Sequence, residues 1–109
     1  MKKRGGSVDN THSNSLSKKV IKSILDILIL QLIKDKPMSG NKILNEIESR
    51  FSITLSPASV YSALSSLQDQ GLITTNPGKM PTLTEKGETV RQQLIDDYLK
   101  LQKKIEINF

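Results

Sequence analysis

The chain has 109 residues, enough for one domain with a modest core. Sixteen Lys and Arg residues outnumber eleven Asp and Glu, and the resulting net charge of +5 favours a polyanionic partner. There is no cysteine and the one histidine is His12, which excludes disulfides and a Cys/His zinc site.

Residues 1–16 are rich in Ser, Asn and Gly and are expected to form a disordered tail. The basic residues Lys2, Lys3 and Arg4 at its start fit a flexible arm along phosphates, and a merely solvated tail is the somewhat favoured alternative. This start is followed by a polar segment, so no secretory signal is expected. The longest apolar run is short and interrupted by charges, which predicts no membrane partner.

The first helix is predicted from Ser17 to Lys34 as one continuous element. Ten of the fourteen residues from Val20 to Ile33 are aliphatic and lie on every side of the helical wheel. We therefore expect it to be the most buried helix, covered by its own domain on one side and by a dimer partner on another. A second helix is predicted from Gly40 to Phe51, with Lys42 and Arg50 on its outward face.

A third helix is marked at both ends. Ser56 is suited to cap its start, Pro57 fits its first position, and Gly71 is suited to the left-handed conformation that ends a helix. The apolar residues of this helix share one face, and they are Val60, Leu64 and Leu67. The opposite face is small and hydroxylated, with Ser59 at its margin, and it consists of Ala58, Ser62, Ser65 and Ser66.

The chain then predicts a β-hairpin and a last helix. The strands are expected over Leu72–Thr75 and Met80–Thr84, joined by the turn Asn76–Lys79. Thr84 is the predicted cap of a helix that ends near Ile105. This helix carries an apolar stripe that predicts a dimerisation seam. The alternative is that the stripe folds back on the core of its own chain. The stripe comprises Val90, Leu94, Ile95, Tyr98, Leu101 and Ile105.

A helix, a tight β-ribbon and a further helix are typical of the second half of a winged helix-turn-helix. The sequence resembles the PadR-like family of winged-helix transcription regulators over roughly residues 24–90. The matching runs are Leu55-Ser56-Pro57, Val60-Tyr61, Leu64, Leu67, Gly71-Leu72-Ile73 and Leu83-Thr84-Glu85-Lys86-Gly87. Two departures are Asn41, where the family usually has an aromatic residue, and a wing that lacks an Arg/Tyr-rich return strand.

The expected fold is mainly α with a small β-wing: a tail over 1–16, a winged helix-turn-helix over 17–84 and a C-terminal dimerisation helix over 85–109. The third helix is predicted to enter the major groove of double-stranded DNA. Its DNA-contacting candidates are Ser56, Ser59, Ser62 and Ser66. Lys42 and Lys79 are candidates for phosphate contacts.

Tyr61 is the remaining DNA-contacting candidate. The resemblance places this tyrosine beside the DNA backbone, and the alternative is a half-buried tyrosine packed on the wing. Among the predicted seam residues, Leu94, Tyr98, Leu101 and Ile105 are the main candidates for self-association.

The helix has no Arg or Lys to bind guanine in its leading turns, so we expect serine contacts and DNA shape to supply discrimination. No catalytic constellation is present: Asp96 and Asp97 point about 100° apart on a helix, and no Ser–His or Cys–His pair exists. We expect no enzyme activity and no cofactor.

The most favoured function is a homodimeric PadR-like repressor, cytoplasmic and nucleoid-associated. One alternative is a partition or architectural protein that coats DNA, and another is a winged-helix protein-interaction module. Any small-molecule effector is expected between the first helix and the dimer seam.

Overall fold

The computed structural model describes residues 18–75 and 78–109. In chain order the elements are α1 (18–23), α2 (Leu25–Ile33), α3 (Gly40–Phe51), α4 (Pro57–Asp69), β1 (Ile73–Thr74), β2 (Thr82–Leu83) and α5 (Glu85–Asn108). The predicted tail over residues 1–16, and the part of the wing turn formed by Asn76 and Pro77, lie outside the described residues.

The prediction of one continuous first helix is wrong. The helix is interrupted at Ile24, whose backbone angles are φ −119° and ψ 21°, and α2 begins at the next residue. Just before the break, the Ser23 hydroxyl donates to the carbonyl oxygen of Val20 (2.6 Å), and the Ile24 amide donates to the carbonyl of Ile21 (3.2 Å). Such short-range bonds compete with the regular helical pattern and interrupt it.

The core lies around α2, as its apolar composition predicts. Ile29 and Leu30 are completely buried, and α2 contacts α3, α4, β2 and α5. The other helices each contribute one apolar face, and the buried residues of α3 and α4 are Ile43, Ile47, Val60, Leu64 and Leu67. This burial confirms the predicted apolar face of α4 and leaves its hydroxylated face outside.

The wing is smaller than predicted. Its two antiparallel strands contain only two residues each, in the register Ile73 opposite Leu83 and Thr74 opposite Thr82. One reason lies at the end of α4, where the amides of Gly71 and Leu72 donate back to the helix, to the carbonyls of Gln68 and Leu67. Gly71 has the predicted positive φ, 77°.

The start of α5 is tied to the end of α4. The Thr84 hydroxyl lies 2.7 Å from the Gly71 carbonyl oxygen, to which it donates, and accepts from the amide of Gly87 (2.9 Å), which confirms Thr84 as the helix cap. The Lys86 ammonium donates to the carbonyl of Gln70 at 2.9 Å. A Cβ on Gly87 would stand 1.9 Å from the carbonyl oxygen of Leu72, so only glycine permits this approach. The Leu-Thr-Glu-Lys-Gly run is therefore a structural joint.

Candidate nucleic-acid interface

The N-terminus of α4 has the predicted cap. The Ser56 hydroxyl accepts from the amide of Ser59 at 3.2 Å, and the two hydroxyl oxygens lie 3.0 Å apart. Pro57 occupies the first turn, where a backbone N–H would have no acceptor within the helix, so its absence costs no hydrogen bond. Both hydroxyls thus stabilise the start of the helix. Any contact that Ser56 and Ser59 make with DNA has to be compatible with this pairing.

The exposed face of α4 has Ser62 at its centre. Val60 and Leu64 fix this orientation because they are buried on the opposite side. Ser65 is also exposed beside Ser62. It belongs to the predicted hydroxylated face but is not among the predicted DNA-contacting residues. Ser66 lies toward one edge, where its hydroxyl accepts from the Gln70 amide group at 3.1 Å. Ser62 and Ser65 are thus the most outward hydroxyls of the helix.

Tyr61 lies on the other edge of α4, against the first turn of α3. Its hydroxyl donates to Oδ1 of Asn41 (3.2 Å), and 47% of the residue remains exposed. A Cβ on Gly40 would stand 2.6 Å from the tyrosine ring, so the glycine makes room for it. Tyr61 is half-buried, as the alternative expects, and the contacts described here are with α3. The departure at Asn41 has a structural role, because this residue anchors the phenol.

Lys42 follows in the same turn of α3. Its amide donates to the capping hydroxyl of Ser39 (3.1 Å), and its ammonium lies 3.2 Å from the Glu46 carboxylate. Arg50 pairs with the same carboxylate at 2.9 Å, and these two cations lower the pKa of Glu46. Lys42 is thus positioned near the Asn41–Tyr61 pair, with a carboxylate that competes with phosphate for its charge.

The other charged candidate is Lys79, which is exposed near the tip of the wing. It is separated from the serine face by the short ribbon, so the structure does not bring it together with Ser62.

A surface away from α4 combines an apolar cavity with the exposed stripe of α5. The cavity has a volume of about 230 Å³ and lies between α2, the end of α3 and α5, with Ile27, Leu28, Phe51, Ile95, Tyr98 and Arg50 among its lining residues. Beyond it, Tyr98, Leu101 and Ile105 are 39%, 59% and 52% exposed. Leu94 instead packs partly against the core of its own chain. The C-terminal half of the stripe therefore does not fold back on the core.

Comparison with known proteins identifies the family. The model of the transcriptional regulator PadR-like family matches residues 29–93, which is more than half of the chain. The chain belongs to the PadR-like family of transcriptional regulators. Its members are DNA-binding regulators of transcription, and this confirms the resemblance and the winged-helix fold predicted from the sequence.

Solved structures share the PadR-like fold, and two of them share it over more than nine-tenths of their own length. A transcriptional regulator from Clostridium thermocellum superposes with a TM-score of 0.69 at 22% identity, covering 84% of this chain and 94% of that one. A PadR-like regulator from Bacillus cereus gives 0.69 at 19% identity, with 81% and 93% covered. Bacillus subtilis PadR, solved in complex with p-coumaric acid, gives 0.57 at 29% identity, with 66% and 44% covered.

A curated relative is the heat-inducible transcription repressor HrcA of Leptospira biflexa serovar Patoc, 30% identical over 101 residues. The match covers 78% of this PadR-like chain but only 29% of that repressor.

Within 18–75 and 78–109, no group of three or more His, Cys, Asp or Glu side chains is placed to hold a metal ion. The same residues include no helix with the length and apolarity needed to cross a membrane.

Proposed function

We propose that this PadR-like regulator is a homodimeric repressor that places α4 of each subunit in the major groove of its operator. The observation that carries the proposal is the exposed, capped and uncharged serine face of α4, flanked by Tyr61 and Lys42. Small side chains permit close approach to base edges, and the flanking groups suit phosphate contacts.

The contacts divide by chemistry. Ser62 takes base edges, with Ser56, Ser59 and Ser66 supporting it through hydroxyls that already hold the helix. Tyr61 and Lys42 bind the backbone on one side of α4, and Lys79 binds it from the wing. The chain's excess of basic residues supplies general affinity for phosphate, so discrimination depends on the few hydroxyl contacts and on DNA shape.

The second copy packs on the exposed stripe of α5. Tyr98, Leu101 and Ile105 supply the apolar surface, and Leu94 continues it toward the domain. A two-fold axis through this seam relates two α4 helices, which suits a roughly palindromic operator with half-sites about one helical turn apart. The proposed location is the cytoplasm, in association with the nucleoid.

An effector site is proposed at the apolar cavity beside the seam. The supporting observation is its position between α2 and α5, where a bound molecule contacts both the core helix and the dimer helix. Bacillus subtilis PadR was solved with p-coumaric acid, so a small-molecule ligand is compatible with the family.

Fluorescence anisotropy on two labelled duplexes tests the DNA proposal: one from upstream of the protein's own gene and one scrambled, each over a salt series. We expect a linear fall of log affinity with log salt and a preference for the upstream duplex of at least ~10³-fold. Equal binding with saturation that grows with duplex length would instead support the coating protein. Absence of binding to both duplexes would favour the protein-interaction module.

Two variants separate base contact from backbone contact. Ser62→Ala is expected to lower affinity for the upstream duplex by about fivefold, the value of one hydrogen bond, and to leave the scrambled duplex unchanged. Lys79→Ala is expected to weaken both duplexes alike and to reduce the salt slope by about 1. Unchanged upstream binding by Ser62→Ala would remove the serine face as the specificity determinant.

A further inference from the structure

A shallow groove separates the serine edge of α4 from the junction of α1 and α2. One wall carries Ser59, Ser62 and Ser66, and the other carries Lys22 and Asp26. Lys22 is in the last turn of α1 and Asp26 is in the first turn of α2, so the break at Ile24 lies between them. The interruption of the helix therefore positions two opposite charges beside the proposed DNA-contacting face.

These are the charged groups of the groove among the described residues. The α4 wall has hydroxyls and the methyl group of Ala63, and α4 carries no charged residue before Asp69. The electrostatic potential along this edge of the helix is consequently set by side chains from α1 and α2. Any DNA strand that lies along the edge meets Lys22 and Asp26 first.

Asp26 is not explained by local structure. Partial desolvation raises the pKa of the carboxyl group of this exposed residue, and no hydrogen bond or ion pair to the carboxylate occurs within the described ranges. Because the pKa is raised in the folded state, the charged form lowers stability at neutral pH, and protonation relieves this as the pH falls. The start of α2 offsets only part of this, since a helix N-terminus favours a negative charge modestly.

We propose that Lys22 and Asp26 are specificity determinants at the border of the DNA interface: Lys22 binds a backbone phosphate, and Asp26 repels DNA that is seated out of register. The inference rests on the proposed function of α4. In the correct register the carboxylate accepts a hydrogen bond from an exocyclic amino group, cytosine N4 or adenine N6, which offsets the repulsion. On other sequences the repulsion remains, and the protein gains discrimination by weakening the wrong complexes.

Asp26→Asn tests the repulsion, because it keeps the size of the side chain and removes its charge. We expect the affinity for scrambled DNA to rise about threefold to tenfold, the effect of one removed charge near the phosphates. The affinity for the upstream duplex is expected to change less, so the ratio between the two duplexes falls. Asp96→Asn is the matched control, since it makes the same charge change on an exposed part of α5.

Lys22→Ala tests the phosphate contact in the same assay. It is expected to weaken both duplexes and to reduce the salt slope by about 1, as the loss of one phosphate contact requires. An unchanged slope would overturn this half of the proposal.

The pH dependence supplies a second measurement of Asp26. DNA beside the carboxylate raises its pKa further, so the wild-type protein is expected to bind scrambled DNA more tightly as the pH falls, and Asp26→Asn less so. Lys22, on the same wall of the groove, is the other charged side chain there. The two proteins differ only at position 26, so the difference between their pH profiles isolates Asp26. Parallel pH profiles would count against the inference.

The outcomes separate a failure of the proposed function from a failure of the role proposed for Asp26. If the wild-type protein binds neither duplex, the proposed function fails. If it binds and Asp26→Asn behaves like Asp96→Asn, the proposed function stands and the role of Asp26 is overturned.

Discussion

Gly87 shows how a single residue controls the joint between the wing and α5. The first turn of α5 crosses the backbone of Leu72 so closely that a Cβ would overlap its carbonyl oxygen. Backbone cannot move aside as a flexible side chain can, so the position tolerates no side chain. A similar close approach occurs at Gly40, where the ring of Tyr61 occupies the space.

Gly87→Ala is expected to lower the free energy of unfolding by about 2–3 kcal/mol or more, although alanine favours helices. Gly71→Ala is the comparison, since a Cβ there would make only ordinary van der Waals contact with Lys86 and its cost, about 1–2 kcal/mol, comes from the left-handed backbone. Urea denaturation followed by circular dichroism measures both. A Gly87→Ala protein as stable as the wild type would show that the joint adjusts.

The sequence did not predict contacts between residues that are far apart along the chain. Tyr61 and Asn41 are twenty positions apart, and their hydrogen bond depends on the angle at which α3 and α4 cross. The wheel placed Tyr61 correctly on the flank of α4 but did not show which neighbour it meets. Asp26 escaped prediction for the same reason, because only the tertiary structure brings it beside Ser62.

At the scale of elements, local chemistry was the best guide. The bounds of α3, the caps at Ser56 and Thr84, and the turn at Gly71 were predicted from the sequence and are confirmed, because each depends on residues a few positions apart. The break at Ile24 was missed, since the aliphatic residues on both sides of it continue at helical spacing and no Pro or Gly marks an interruption. The predicted last helix ended at Ile105, and α5 continues to Asn108.

The Ser56 cap has a measurable stability. Ser56→Ala removes the acceptor for the Ser59 amide and is expected to lower the free energy of unfolding by about 1 kcal/mol. Ser65→Ala, on the exposed face of the same helix, is the control and is expected to change stability by less than about 0.5 kcal/mol. Thermal melts compare the melting temperatures of the two variants. Equal melting temperatures would mean that the cap contributes nothing to stability.

At the scale of the molecule, the chain leaves an apolar surface that its own fold does not cover. α5 has 24 residues, and every residue from Asp96 onward is exposed. The stripe on this part of the helix is the surface on which the proposed second copy packs. Because these residues contribute little to the core of one subunit, substitutions here separate association from folding.

Leu101→Asp is expected to convert the dimer to a folded monomer, because it places a charge in the middle of the proposed seam. Ile107→Asp is the control, since Ile107 is 73% exposed and lies off the stripe. Sedimentation velocity measures the mass of each variant, and circular dichroism checks the helices. A Leu101→Asp protein that remains a dimer would place the interface elsewhere.

In the proposed dimer, the joint at Thr84, Lys86 and Gly87 would link the position of each α4 to that of α5. In a dimer paired through α5, each α4 is fastened to a rigid arm about 36 Å long whose far end meets its counterpart. The angle between the two arms then sets the distance between the two α4 helices. The proposed cavity adjoins this arm at Ile95 and Tyr98. A molecule bound there would change the separation of the two α4 helices in the proposed dimer. That separation would then no longer match the half-site spacing of the operator, and affinity would fall.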